Sequence, residues 1–315
     1  SPDRKFNLHT GAHIYRFERV NQEMLMPQKA QPYYDERSYK NEVSGFAKAS
    51  YEIGKLKLYA DIQVRSLSLN IDPDQTLLPA EPDVTKNWTF INPKAGLNLQ
   101  LSNASSVYAF FGRSGREPTK VDILGGFTLG PYNISSVRSD NVKSEFVNDF
   151  ETGYRIFSDN FELQANYFYM DFQNEIAPIG EFVPEGFIQL RKNIPESYRT
   201  GFELDWHYRY KMITFSGNGT YMSSRIRLYD PEESSASYEN VSQPLSPNWM
   251  GSARIGFEPV PNLFFQLSGR FMSESFLEPT NQQDLTLPGF SVFNFQVRYT
   301  IKEQENNRDL LREIL

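Results

Sequence analysis

The sequence predicts an all-β protein of one kind, a transmembrane antiparallel up-and-down β-barrel, and three observations predict it. Segments of about ten residues, enough for a tilted strand to cross hydrocarbon, alternate strictly between apolar and polar side chains. Many of these segments end in Tyr, Phe or Trp. The connectors between them are alternately very short and long. A strand sends successive side chains to opposite faces, so each segment has one greasy and one charged face. A single such strand also suits a soluble sandwich. Repetition, length, aromatic ends and connectors together select the membrane.

The stripes run from end to end. The first strand is expected over Phe6 to Phe17. Leu56, Leu58, Ala60, Ile62 and Val64 oppose Lys57, Tyr59, Asp61, Gln63 and Arg65. Phe161, Leu163, Ala165, Tyr167 and Tyr169 oppose Glu162, Gln164, Asn166, Phe168 and Met170. The pattern is sharpest where Phe202, Leu204, Trp206, Tyr208 and Tyr210 oppose Glu203, Asp205, His207 and Arg209. Leu263, Phe265, Leu267, Gly269 and Phe271 then oppose Phe264, Gln266, Ser268 and Arg270. In the last strand Phe293, Phe295, Val297, Tyr299 and Ile301 oppose Asn294, Gln296, Arg298 and Thr300. Soluble strands average only about five or six residues, and the terminal aromatics suit an interfacial girdle.

Connectors at Gly54-Lys55, 102–105, 158–160, Lys211 and 259–262 are brief, whereas 19–39, 70–86, 115–142, 174–196, 226–245 and 275–288 are long and polar. Short turns at one end and long loops at the other are expected of periplasmic turns and extracellular loops, with about a dozen strands in the chain. Residues 1–301 are read as strands and loops of the barrel, and 302–315 as a charged tail with Leu310, Leu311, Ile314 and Leu315 spaced for a short helical face.

Composition is consistent with a barrel. A mean hydropathy of -0.54 is expected when lumen-facing residues and loops outweigh the lipid-facing half. No apolar run reaches the ~18 residues of a transmembrane helix. The formal charge of -7 argues against a nucleic-acid partner. The absence of cysteine excludes thiol chemistry and a disulfide scaffold. The chain opens Ser1-Pro2-Asp3 without the basic and apolar regions of a signal peptide, which is neutral for export.

Several stretches resemble the barrel of TonB-dependent outer-membrane receptors, nearest the iron-siderophore branch. They are Asn92-Pro93-Lys94-Ala95-Gly96-Leu97 with Ser106-Val107-Tyr108-Ala109, then Gly112-Arg113-Ser114-Gly115-Arg116-Glu117-Pro118-Thr119, then Lys143 to Tyr154. Tyr167 to Asn174 and Glu196 to Glu203 follow in family order. The resemblance implies a 22-stranded barrel in the outer membrane of a Gram-negative bacterium, filled by a plug and driven by the TonB system. It implies a small-molecule ligand such as a ferric siderophore, with the bilayer and lipopolysaccharide around the barrel. No plug-like segment, TonB box or closing strand pair is visible, so the chain is expected to be a middle-to-late block of a larger barrel. The alternative is a shortened relative that closes as a smaller barrel. A plug-less passive pore or structural adhesin stays open as a second function.

Arg113 and Arg116 are the candidate ligand contacts. Their strand leaves a short turn and so ends near the extracellular mouth, where guanidinium groups suit carboxylate, catecholate or phosphate. Pairing with acidic plug residues or with lipopolysaccharide phosphates is the competing reading. No catalytic residue, cofactor or metal site is expected. His9 and His13, four apart on one strand face, are ~13 Å apart, too far to share an ion. His207, between Asp205 and Arg209, reads as part of a lumen charge network, and no Gly-x-Ser-x-Gly, P-loop or His-Glu-x-x-His pattern occurs.

Overall fold

The computed structural model describes residues 4–24, 32–73, 84–123, 142–183, 188–230 and 237–300. In chain order its elements are β1 (Arg4–Met24), β2 (Pro32–Ile53), β3 (Leu56–Pro73), β4 (Val84–Ser102), β5 (Ser105–Arg116), α1 (Lys120–Ile123), β6 (Glu145–Phe157) and β7 (Phe161–Val183). They continue with β8 (Ile188–Tyr210), β9 (Ile213–Tyr229), β10 (Tyr238–Ser242), β11 (Trp249–Val260), β12 (Leu263–Met272), β13 (Ser275–Phe276), β14 (Thr286–Leu287) and β15 (Phe290–Tyr299). Twelve strands form one up-and-down antiparallel path from β1 through β9 to β11, β12 and β15. β10 adds to β9 off that path, and β13 and β14 make a separate ribbon. The tail 302–315 lies outside the described residues.

Hairpins close at the short connectors, and the backbone shows how. Gly54 takes the turn between β2 and β3 at φ 56°, a left-handed conformation that costs glycine nothing. Lys211 and Asn262 take the corresponding positions of the β8–β9 and β11–β12 turns at φ 51° and 71°.

Pairing follows the alternation. Leu58 lies opposite Tyr51 and Leu97, and Phe202 opposite Tyr167 and Tyr221, so each apolar stripe continues sideways onto its neighbours. These side chains are exposed on the outer face: Ile62 is 47% exposed, Phe202 60% and Phe295 68%. In water such a face would be an aggregation surface; in a bilayer it is the solvated one. Its aromatics gather towards both margins. Phe161 meets Tyr208 near the short turns, and Tyr221 meets Trp249 at the other margin, with ring centroids 6.3 and 4.5 Å apart.

Seven of the nine strands from β1 to β9, each of which leaves or enters a long connector, run 17–23 residues, well past the lipid stripe, so much of the sequence expected to be loop is strand. Hairpin pairing carries on above the hydrocarbon, with irregularities at Glu23/Met24 and between Pro178 and Phe182. Within the described residues β1 pairs only with β2 and β15 only with β12. The first and last strands are not neighbours, as expected of a block from a larger barrel. An unpaired edge is tolerated in hydrocarbon only when another strand covers it.

Candidate functional site

Beyond the stripe, the two faces exchange character. On β3 the outward residues change from Leu58, Ile62 and Val64 to Ser66, Ser68 and Asn70, while the inward ones change from Lys57, Asp61 and Arg65 to Leu67, Leu69 and Ile71. Leu69 and Ile71 are buried with Val84 and Ile123, and Trp88 packs against them. The strand ends thus form a small globular rim at the long-connector end, with its core on the inside.

The segment after β5 folds inward to supply that core. Asp122 caps its first turn, accepting from the Thr119 backbone N–H at 2.8 Å and from the Thr119 hydroxyl at 2.7 Å, which directs Ile123 into the apolar cluster. Arg191 of β8 holds Asp122 from another side at 2.7 Å. Glu117, 8% exposed, is anchored by Lys40 and lies 3.6 Å from Arg65. Arg65 donates two hydrogen bonds to Glu42, at 2.9 and 3.1 Å, and the Tyr15 hydroxyl adds a third at 3.1 Å. Three strands and the inward segment therefore meet in one charge network, and β8 holds the same segment separately through Arg191 and Asp122.

The candidate arginines stand beside this lock. Arg113 donates to Asn148 of β6 at 3.0 Å and lies over the Phe146 ring, 4.8 Å from its centroid. Arg116 pairs with Glu145 at 2.8 Å, its side chain 46% exposed. Three residues apart on one strand, they point to opposite faces, so they do not form a single clamp. Gly115, between them, donates its N–H to Asn92 at 2.9 Å, and a Cβ there would drive into the Phe90 and Phe146 rings. Asn92, Gly115 and Asn148 come from three separate stretches of the sequence and converge here. Sequence reasoning missed Glu117, whose signal was a lone carboxylate before Pro118, itself fully buried.

A second lock holds β10. Glu175, 6% exposed, accepts from Ser197, from Arg199 and, at 2.9 Å, from the Gln243 amide. Gln243 in turn accepts from Arg199 at 2.8 Å and Ser224 at 2.6 Å. Ala177, Ile194, Ile226, Tyr229 and Val241 pack beside it as an apolar core. Asn281 ties the β13–β14 ribbon on, exchanging hydrogen bonds with the Ser242 backbone at 2.6 and 3.0 Å.

Below the rim, the inner wall is open and polar. A concavity of about 940 Å³ is lined by Lys48, Lys57, Tyr59, Tyr108, Phe110 and Glu151 among others. His207 sits exposed on this face, opposite Glu162 and Ser216. His9 and His13 share the inner face of β1. Among the described residues, no three of His, Cys, Asp and Glu converge on one point.

The profile of the family described as TonB dependent receptor-like, beta-barrel, matches residues 3–310. The chain belongs to the TonB-dependent receptor barrel family. Solved receptor structures agree in fold. The unliganded ferric citrate transporter FecA superposes with a TM-score of 0.74 at 16% identity, over 96% of this chain and 45% of its own. The copper transporter OprC gives 0.73 at 15% identity, over 94% and 46%. The siderophore receptor PiuA of Acinetobacter baumannii gives 0.71 at 16% identity, over 95% and 47%. The chain thus spans less than half the length of these receptors. No curated protein matches the sequence. Barrels of this family are outer-membrane receptors and transporters.

Proposed function

We propose that this chain is part of the barrel wall and mouth of an energy-coupled outer-membrane importer for an iron-siderophore-type ligand. The observation that carries this reading is the rim. Two buried ion-pair locks draw loop segments inward over the wall, which makes a shaped receiving surface of what would otherwise be an open hole. Binding and transport, rather than a covalent reaction, are what such a surface performs. FecA and PiuA are named for ferric citrate and siderophore, and OprC for copper; an iron chelate with carboxylate or catecholate groups suits the rim arginines. Arg116, partly exposed at the end of β5, would meet the ligand directly, while Arg113 on the other face would brace the strand through Asn148.

In this reading a plug domain fills the concavity beside Lys48, Tyr59 and Glu151, and an inner-membrane TonB partner supplies the energy. Lipid and lipopolysaccharide surround the outer face. The test is ferric-chelate binding and uptake by cells carrying the native polypeptide, with Arg113→Ala and Arg116→Ala and with the rim segments shortened. Energy-dependent uptake that falls when 117–142 or 174–196 is shortened supports the importer. Chelate-independent leakage of small solutes, unaffected by collapsing the proton gradient, would instead make it a passive pore.

A further inference from the structure

The inner wall carries a feature that iron-chelate transport does not use. Along β9, β11 and β12 the inward residues are almost all hydroxyl, amide or charged: Thr214, Ser216, Asn218 and Thr220; Ser252 and Arg254; Gln266, Ser268 and Arg270. At the same end of each strand, just under the β10 lock, the inward residue is methionine. Met250 and Met272 are direct cross-strand partners. Met222 is diagonal to Met250, since Met250 is registered with Thr220 and the Met222 N–H donates to the Asn248 carbonyl at 2.9 Å. Direct partners on one face have Cβ atoms ~4.5–5.5 Å apart and diagonal ones ~7–8 Å or somewhat less. Met250 and Met272 therefore stand side by side, and the flexible thioether of Met222 lies one diagonal step away on the same face.

Their setting suits a cation. Met250 and Met272 line a cavity of about 460 Å³ together with Glu203, Asp205, Arg270 and Phe290. Two carboxylates against one guanidinium leave the cavity net acidic. All three methionines are half-buried, so their sulfurs are neither sealed in a core nor out in solvent. Had apolar filling been all that was needed, leucine would serve on such a wall. Thioether is the one neutral side-chain donor that favours a soft ion over the hard cations that carboxylates take.

We propose that Met222, Met250 and Met272 form a binding site for a soft monovalent metal ion, Cu(I) or Ag(I), with Glu203 and Asp205 drawing the cation into the cavity. The site is separate from the rim arginines and does not depend on the iron-chelate reading.

The test uses the native polypeptide carrying this chain, purified in detergent, with Ag(I) as an air-stable probe. Titration calorimetry gives affinity and stoichiometry, and X-ray absorption at the silver edge identifies the ligand atoms. One Ag(I) per chain with sulfur neighbours is expected. Met250→Leu and Met272→Leu, which keep volume, should each weaken it by at least the roughly 10–100-fold that losing an outer-shell partner costs a metal site. Met212→Leu, in the β8–β9 turn, should leave it unchanged. Ferric-chelate binding, measured in parallel, should survive the double leucine variant. Absence of Ag(I) binding by the parent protein overturns the proposal, as does unchanged affinity in the double variant or a ligand sphere of oxygen and nitrogen only.

Discussion

β3 passes through two environments within one strand, and comparing its halves shows how this protein is held together. From Leu58 to Val64 the outward residues Leu58, Ile62 and Val64 are exposed; from Leu67 to Ile71 the apolar residues point inward and are buried. β9 repeats the exchange, from outward Ile213 and Phe215 to buried Ile226. The lipid-facing band is stabilised by a solvent that welcomes apolar surface, so it needs no core. The rim stands in water and must make its own. Nearly all the buried apolar side chains of the described residues, from Leu67 through Ile123 to Val241, lie in the rim for that reason.

The comparison predicts a gradient of mutational effects. Ile226→Ala, at a fully buried position, should cost ~2–5 kcal/mol, measured by urea unfolding of the native polypeptide refolded into vesicles. Ile62→Arg, near the middle of the outward stripe of β3, should cost ~2–4 kcal/mol in the same assay. Glu117→Gln leaves Lys40 without its charged partner and should cost ~1–3 kcal/mol. Its more specific sign is local: segment 117–123 should become sensitive to protease while the band stays protected. Asn70→Arg lies on the same face of the same strand as Ile62 but in the rim, and should change stability by no more than ~0.5 kcal/mol. Equal costs for Ile62→Arg and Asn70→Arg would remove the distinction between the two regions. A costless Ile226→Ala would show that the rim has no core.

The band was legible in the sequence because its rule is local. Alternation with period two, at the length a bilayer requires, assigns every residue from Leu56 to Val64 a face without knowledge of its neighbours. The rim was less legible, since its apolar residues were counted as loop. The signal was nevertheless there: Ser66-Leu67-Ser68-Leu69-Asn70-Ile71 keeps the alternation with the parity reversed. Arg113 and Arg116 were placed correctly at the end of a strand, but their spacing of three already put them on opposite faces.

By itself, the sequence determined the fold class, the faces of the strands, the short turns and the receptor-like motifs, because each follows from neighbours along the chain or from a fixed repeat. Only the tertiary structure decided that Glu117 reaches Lys40, that Glu175 collects Ser197, Arg199 and Gln243, and that Met250 stands opposite Met272. Those contacts join residues 22 to 77 positions apart in the chain. Register, set by turn geometry and strand pairing together, brings them to one point, and no local pattern encodes it.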